Sequence, residues 1–343
     1  MHTLKPIPDA DLRELSTFRL PARADELLVL TELEQLSTLP SDDRPTLVLG
    51  GGSNTLFMND WPGRIVLNRL RGISVQRLDA DHSVVRAAAG ESWHDLVRLC
   101  LDRGLHGLEN LILIPGSVGA APMQNIGAYG VELADCIDAV EVFEWASGRH
   151  HTLPATACGF GYRDSHFRSR DAGRFLITAV HLKLNHAFRA RADYASLADH
   201  LQQRDQAKPT PRQLAAAVMR LRRHRLPDPA RVANAGSFFH NPMVEADQAE
   251  ALKRDWPKLP IWPQDRGQTK LSAGWMIDQL GLRGFRIGDA GVYAHHALVL
   301  VNHGQATAEQ LSALIDHIQN EVHKQYGLRL TTEPTLIGYK GAA

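Results

Sequence analysis

Ile114–Gly130 reads IPGSVGAAPMQNIGAYG, with glycines at 116, 119, 127 and 130 and no charged side chain. Small residues at this density let backbone N–H groups approach a ligand closely, and glycine permits the positive-φ turns such an approach requires. A solvent-exposed linker would favour Ser, Lys, Glu and Pro over the Ile, Val, Met and Tyr found here. The composition therefore predicts a buried loop facing a large polar ligand.

A second glycine turn lies upstream. The apolar run Thr46–Leu49 reads as a strand that passes directly into Gly50-Gly51-Gly52-Ser53-Asn54. A strand ending in glycines invites a Rossmann reading, which the residues refuse. Position 55 is Thr where the third glycine should stand, no helical apolar face follows, and no acidic residue ends a second strand about 20 positions on. No Gly-Lys-Ser/Thr makes a P-loop either. What remains is a turn fit to hold a phosphate or ribose without a following helix.

At 343 residues the chain exceeds what one core usually supports, so two or three domains are expected. The 38 basic and 38 acidic residues cancel, which removes any global electrostatic case for nucleic acid or a membrane surface. The 17 histidines are scattered without a zinc-ligand spacing, so no metal is expected. Cys100, Cys136 and Cys158 are odd in number and far apart; a disulfide framework is not expected and a reducing compartment is. The N-terminal residues lack an apolar h-region and no run is long enough to span a bilayer, which predicts a cytoplasmic protein.

Periodicity supplies the elements. Glu26–Leu30 reads as a strand, and Thr31 with Glu34 predicts a capping box opening a short helix. Arg64–Asn68, Ile73–Leu78, Ser83–Ala88, Ala139–Trp145 and Phe175–Leu184 read as strands. Ser92 with Asp95 caps a helix whose Trp93, Leu96, Val97, Cys100 and Leu101 share a face, and Gly104 ends it. The polar stretch Asn185–Pro211 marks a domain boundary, followed by a helix over Thr210–Arg225 that stops before Pro227 and Pro229. Asn234–Pro242 reads as a turn into a strand, Ser272–Leu280 as a helix closed by Gly281, and Ala297–Val301 as a strand. Thr307 and Gln310 cap the longest helix, striped by Leu311, Leu314, Ile315, Ile318 and Val322 and ended by Gly327. A last strand is expected at Leu328–Thr332.

The chain carries, in order, GGGSN at 50–54, AAAGESWHDLV at 87–97, GLENLILIPGSVGAAPMQNIGAYGVE at 107–132, GYRDSHF at 161–167 and LPDP at 226–229. NAGSFFHNP at 234–242, KLSAGWMIDQLGLRG at 270–284, HALVLVN at 296–302 and EPTLIG at 333–338 follow. Together these resemble the UDP-N-acetylenolpyruvoylglucosamine reductase family of bacterial peptidoglycan synthesis. The long segment between Tyr162 and Asn234 matches the longer (type I) of the family's two forms. The resemblance implies an α+β chain in which two subdomains of the PCMH/vanillyl-alcohol-oxidase type hold noncovalent FAD and an α+β domain binds the UDP-sugar. The corresponding divisions are 1–70, 71–205 and 206–343, with the C-terminal strand free to return to the first.

It also implies roles. NADPH would reduce the flavin, which would reduce the enolpyruvyl double bond to give UDP-N-acetylmuramate. Arg163 matches the arginine facing the substrate carboxylate, Glu333 the glutamate beside it, and Ser237 the proton donor to the α-carbon. Taken singly, each reads as a surface charge or turn residue. For FAD the resemblance points to Gly50, Gly51, Gly52, Ser53 and Asn54 on one turn and to Gly116, Ser117, Gly119, Asn125, Gly127 and Tyr129 on the other. No histidine stands in the first turn, which argues for noncovalent flavin. Tyr162, Tyr194, Arg225, Asn241 and Trp262 are the expected substrate contacts. Arg225 replaces a familiar lysine, His240 another, Trp262 a tyrosine and His295-His296 glutamines; a neutral His240 above about pH 6.5 would weaken anion binding. The rival readings are another PCMH-type FAD oxidase acting on a small alcohol, and a nucleotide-binding module without catalysis. Neither accounts for NAGSFF and EPTLIG together.

Overall fold

A computed structural model describes residues 4–40, 42–264 and 267–339. The chain forms two compact units, one from Met1–Ala10, Asp25–Gly51 and Pro62–His224, the other from Asp11–Ala24, Gly52–Trp61 and Arg225–Ala343.

In the first unit, a four-stranded sheet runs Ile7–Asp11, Arg23–Leu30, Trp61–Asn68, Thr46–Leu49 in spatial order. Trp61–Asn68 is buried without alternation from Gly63 onward, as a central strand covered on both faces should be. Its parallel pairing with Thr46–Leu49 delivers the chain into the first glycine turn. The second sheet is antiparallel, in the order Arg149–Pro154, Ile137–Glu144, Phe175–Asn185, His82–Ala88, Ile73–Arg77. Helix α1 (Trp93–Asp102) packs on it through Trp93, Leu96, Val97 and Cys100, all buried in the same cluster as Val85, Val180 and Leu182. Ser92 caps α1 by accepting from the Asp95 N–H, as the sequence predicts.

Two further helices belong to this unit. Helix α2 (Ala195–Gln202) arises inside the polar stretch 185–211, whose composition carries no helical signal. Helix α3 (Pro211–Arg225) buries Leu214, Ala215, Ala217 and Val218 in the core of the first unit. The division therefore falls after His224, where the sequence placed it at 205/206. Composition changes at the polar stretch, but the small-residue face of α3 packs backward.

The second unit holds a four-stranded sheet in the order Ala233–Ser237, Val299–Asn302, Ala290–Val292, Arg286–Ile287, and a three-stranded sheet of Met243–Glu245, Gln268–Leu271 and Ile261–Pro263. Helices α4 (Ala246–Asp255), α5 (Ala273–Gln279) and α6 (Ala308–Tyr326) cover them. The α6 stripe is fully buried, its Thr307–Gln310 capping box is closed from both sides, and Gly327 ends it at φ +68.

Three local expectations change. The box after Glu26–Leu30 is made by Glu32 and Gln35 rather than Thr31 and Glu34, and opens a 3₁₀ turn, Leu33–Thr38. NAGS is itself strand, bulged between Asn234 and Ser237 with Gly236 at φ +73. Leu328–Thr332 is not a strand; Leu328 and Leu330 are buried, and the strand is Thr335–Ile337, parallel to Thr55–Phe57. Helix α4 and strand Arg149–Pro154 were not foreseen. No helix of the described residues is long and apolar enough to cross a membrane.

Candidate active site

The two glycine turns meet although about 65 residues separate them. A Cβ on Gly51 would lie 2.7 Å from the Gly116 Cα, and one on Gly50 would strike the Ser117 hydroxyl. A Cβ on Gly119 would strike the Ala89 methyl. These glycines are thus small because chain approaches chain, a closer reason than approach to a ligand. The N–H groups of Gly50, Gly51, Gly116 and Ser117 donate to no acceptor among the described residues. Four backbone donors on two abutting turns can serve as a cradle for anionic oxygens.

The second turn is laid along the start of α1. Trp93 Nε1 donates to the Leu111 carbonyl at 3.0 Å, the Trp93 N–H to Gly116 at 3.1 Å, and the Val118 and Gly119 N–H groups to Glu91 and Ala89. The Leu113 N–H donates to His94 Nδ1.

Arg163 adopts φ +53 and donates from Nη2 to the Gly127 carbonyl at 2.7 Å. Its guanidinium also lies over the Tyr162 ring at 5.4 Å. Asn125, buried at φ +44, spends its carboxamide on protein: it donates to Glu132 and the Gly161 carbonyl and accepts from the Ala134 N–H. Its place is to fasten the GYRDS loop to the glycine loop, so a direct side-chain contact with cofactor is not what it offers. Tyr129 and Tyr194 stand edge to face, 5.4 Å apart, and Asn110 donates to the Tyr129 and Arg191 carbonyls. The sequence reading passed over Arg222. Burial pulls its pKa down, Tyr129 opposes this, and Arg163 adds to it; its Nε donates to the Leu113 carbonyl at 3.3 Å. The run RLRRHR gave no means of telling an inward arginine from a solvated one.

In the second unit, strand pairing joins the two expected catalytic segments. The Glu333 N–H donates to the Phe238 carbonyl at 2.9 Å, Phe239 bridges Thr332, and the His240 N–H donates to Thr331. Ser237 is thereby brought to the segment bearing Glu333. Asn54 reaches the same place, donating from its side chain to the Glu333 carbonyl at 3.4 Å; Gly52, at φ +63, and Ser53 precede it on the turn. Asn241 accepts from the Ala273 N–H at the start of α5. Trp262 is 40% exposed, with the Lys270 ammonium 5.7 Å from its ring centre. Arg225 is exposed and near enough to His296 to lower its pKa, after burial itself.

Two family models match: "UDP-N-acetylenolpyruvoylglucosamine reductase, C-terminal domain" over residues 228–337 and "FAD binding domain" over residues 33–154. A UDP-N-acetylenolpyruvoylglucosamine reductase of Chromobacterium violaceum is 46% identical over 340 residues, 98% of this chain and 100% of the relative. One of Azoarcus sp. is 45% identical, covering 96% of this chain and 97% of the relative. The crystal structure of the Thermus caldophilus reductase superposes with a TM-score of 0.67 at 29% identity, covering 97% of this chain and 98% of that one.

The chain belongs to the UDP-N-acetylenolpyruvoylglucosamine reductase family.

As a member of the UDP-N-acetylenolpyruvoylglucosamine reductase family it is an FAD-dependent oxidoreductase with the α+β, PCMH-type fold. The cradle of free N–H groups suits the diphosphate of FAD, and Gly50, Gly51, Gly116 and Ser117 are the residues that would hold it. His296, of the pair His295-His296, also has a defined state. His296 Nδ1 accepts the Leu298 N–H at 3.2 Å, which leaves the ring neutral with its hydrogen on Nε2. Burial and Arg225 favour the same state. A neutral ring in this state keeps one N–H donor, at Nε2.

Proposed function

We propose that this chain catalyses the NADPH-dependent, FAD-mediated reduction of UDP-N-acetylglucosamine enolpyruvate to UDP-N-acetylmuramate, a cytoplasmic step of peptidoglycan precursor synthesis. The reading is carried by the backbone pairing of NAGSFF with the Thr331–Glu333 segment, which gives Ser237 and Glu333 a common location. Bound FAD supplies the two-electron relay between NADPH and the enolpyruvyl double bond. The chain supplies charge and a proton. Arg163 presents a planar fork to the substrate carboxylate as negative charge builds there, with Gly127 fixing its direction. Ser237 delivers the proton to the α-carbon, and Glu333 helps neutralise the developing enolate. Tyr162, Tyr194, Arg225, Asn241 and Trp262 bind the UDP-sugar, and the neutral His296 donates beside Arg225.

Stopped-flow absorbance separates the two halves of the reaction. Ser237→Ala and Glu333→Gln leave flavin reduction by NADPH intact and slow reoxidation by the enolpyruvyl substrate by at least about 10²-fold. Equal slowing of both halves would refute the assigned roles, and a purified protein that is colourless and takes up no FAD would reject the function.

A further inference from the structure

Leu113 is held at φ +63, a conformation disfavoured for a bulky side chain, immediately before the loop of the cradle. Both of its backbone polar groups are tied down. Its N–H donates to His94 Nδ1 at 3.2 Å and its carbonyl accepts from Arg222 Nε at 3.3 Å. Further ties between the start of α1 and this loop run through the Trp93, Val118 and Gly119 N–H groups and the Trp93 indole, which do not titrate. The Leu113 N–H can be accepted only by an Nδ1 that carries no proton, so His94 is neutral here with its hydrogen on Nε2.

We propose that His94 is a positioning residue for the flavin cradle: by accepting from Leu113 it holds the strained residue that sets the path of Ile114–Ser117, and its protonation releases that path. The proposal rests on the cradle reading above. The groups acting on His94 agree with it. Burial lowers its pKa, Asp95 on its own helix opposes this, and Arg98 on that helix and Arg223 from α3 reinforce it. Its place in the first turn of α1 adds the positive end of the helix dipole. Because the folded-state pKa lies below the ordinary value of 6.5, the tie is complete above about pH 6.5 and is lost as the pH falls from there through the folded value.

Flavin released on dilution of the holoenzyme, read by fluorescence at pH 8 and pH 5.5, tests this. His94→Phe weakens FAD binding about tenfold at pH 8, the cost of leaving one enclosed donor unpaired, and abolishes the further loss at pH 5.5. His94→Asn places an amide oxygen where Nδ1 stood; it restores affinity to within about threefold of the native chain and makes it indifferent to acid. Native affinity and an unchanged pH profile in His94→Phe would overturn the proposal, as would failure of Asn to rescue a variant with native circular dichroism. Gly51→Val, which blocks the approach of Gly116, separates the two ideas. If it releases flavin while His94→Phe does not, His94 has no positioning role; if neither does, the cradle reading fails and the proposal with it.

Discussion

Arg163 illustrates how a single residue depends on neighbours that sequence proximity does not reveal. Its guanidinium is directed by a carbonyl 36 positions away, and that carbonyl belongs to a glycine for a steric reason. A Cβ on Gly127 would lie 2.8 Å from Arg163 Nη1 and 3.1 Å from the Val131 carbonyl. Gly127→Ala therefore turns the arginine aside. The expected result is a fall of about 10²-fold in the rate of flavin reoxidation by the enolpyruvyl substrate, with reduction by NADPH unchanged, in single-turnover measurements. Asn125 shows the converse: a polar residue in a glycine loop looks like a ligand contact, and tertiary packing has claimed all of its amide. For the cysteines burial is the largest influence. Cys100 is pushed up to about 12 and Cys158 to about 11, and Cys136 is raised as well, so none is a ready nucleophile.

Among the elements, the central strands of the antiparallel sheet are locked from the side as well as through the backbone. Glu141 accepts both prongs of Arg86 at 2.7 and 2.6 Å and a contact from His181 Nε2 at 2.6 Å, joining three adjacent strands. The Arg86 hydrogen bonds, seconded by His181, hold the Glu141 carboxyl below its ordinary 4.5. A depressed carboxylate stabilises the fold above its unfolded pKa and ceases to as the pH falls through the folded value. Glu141→Gln should cost about 1–3 kcal/mol at pH 7 in urea denaturation, and the gap from the native chain should close below about pH 4.5. Helices were the more legible elements. The apolar stripe and caps of α6 are contained in one stretch of chain, and the structure reproduces them residue by residue. Strands were less so. Leu328–Thr332 is apolar enough to be one, but its backbone partner is the His240 region, and the strand proper begins only where Thr55–Phe57 offers a parallel edge.

At the scale of the molecule, neither unit is a continuous segment. The chain passes between them after Ala10, Ala24, Gly51, Trp61 and His224, and the first glycine turn is itself divided. Residues 225–343 alone would lack Phe18, Leu20, Leu56 and Met58 from their core, and the parallel partner of Thr335–Ile337. That fragment should show no cooperative thermal transition by circular dichroism, whereas the full chain should show one; a cooperative melt of the fragment would contradict the division. A boundary drawn from composition at 205/206 could not anticipate this, because composition registers where the chain is polar and not where it returns.

The sequence by itself determined the features whose cause is local. These are the capped amphipathic helices, the two glycine turns without a Rossmann helix, and the ordered motifs that mark the reductase family. Tertiary structure alone decided that Gly51 abuts Gly116, that Asn54 and Ser237 share a place with Glu333, and that Arg222 reaches the Leu113 carbonyl. The reason is one of distance along the chain. A helix spends its hydrogen bonds and its periodicity within a few residues, but pairing, burial of a charge and approach of one backbone to another are settled by segments that meet only on folding.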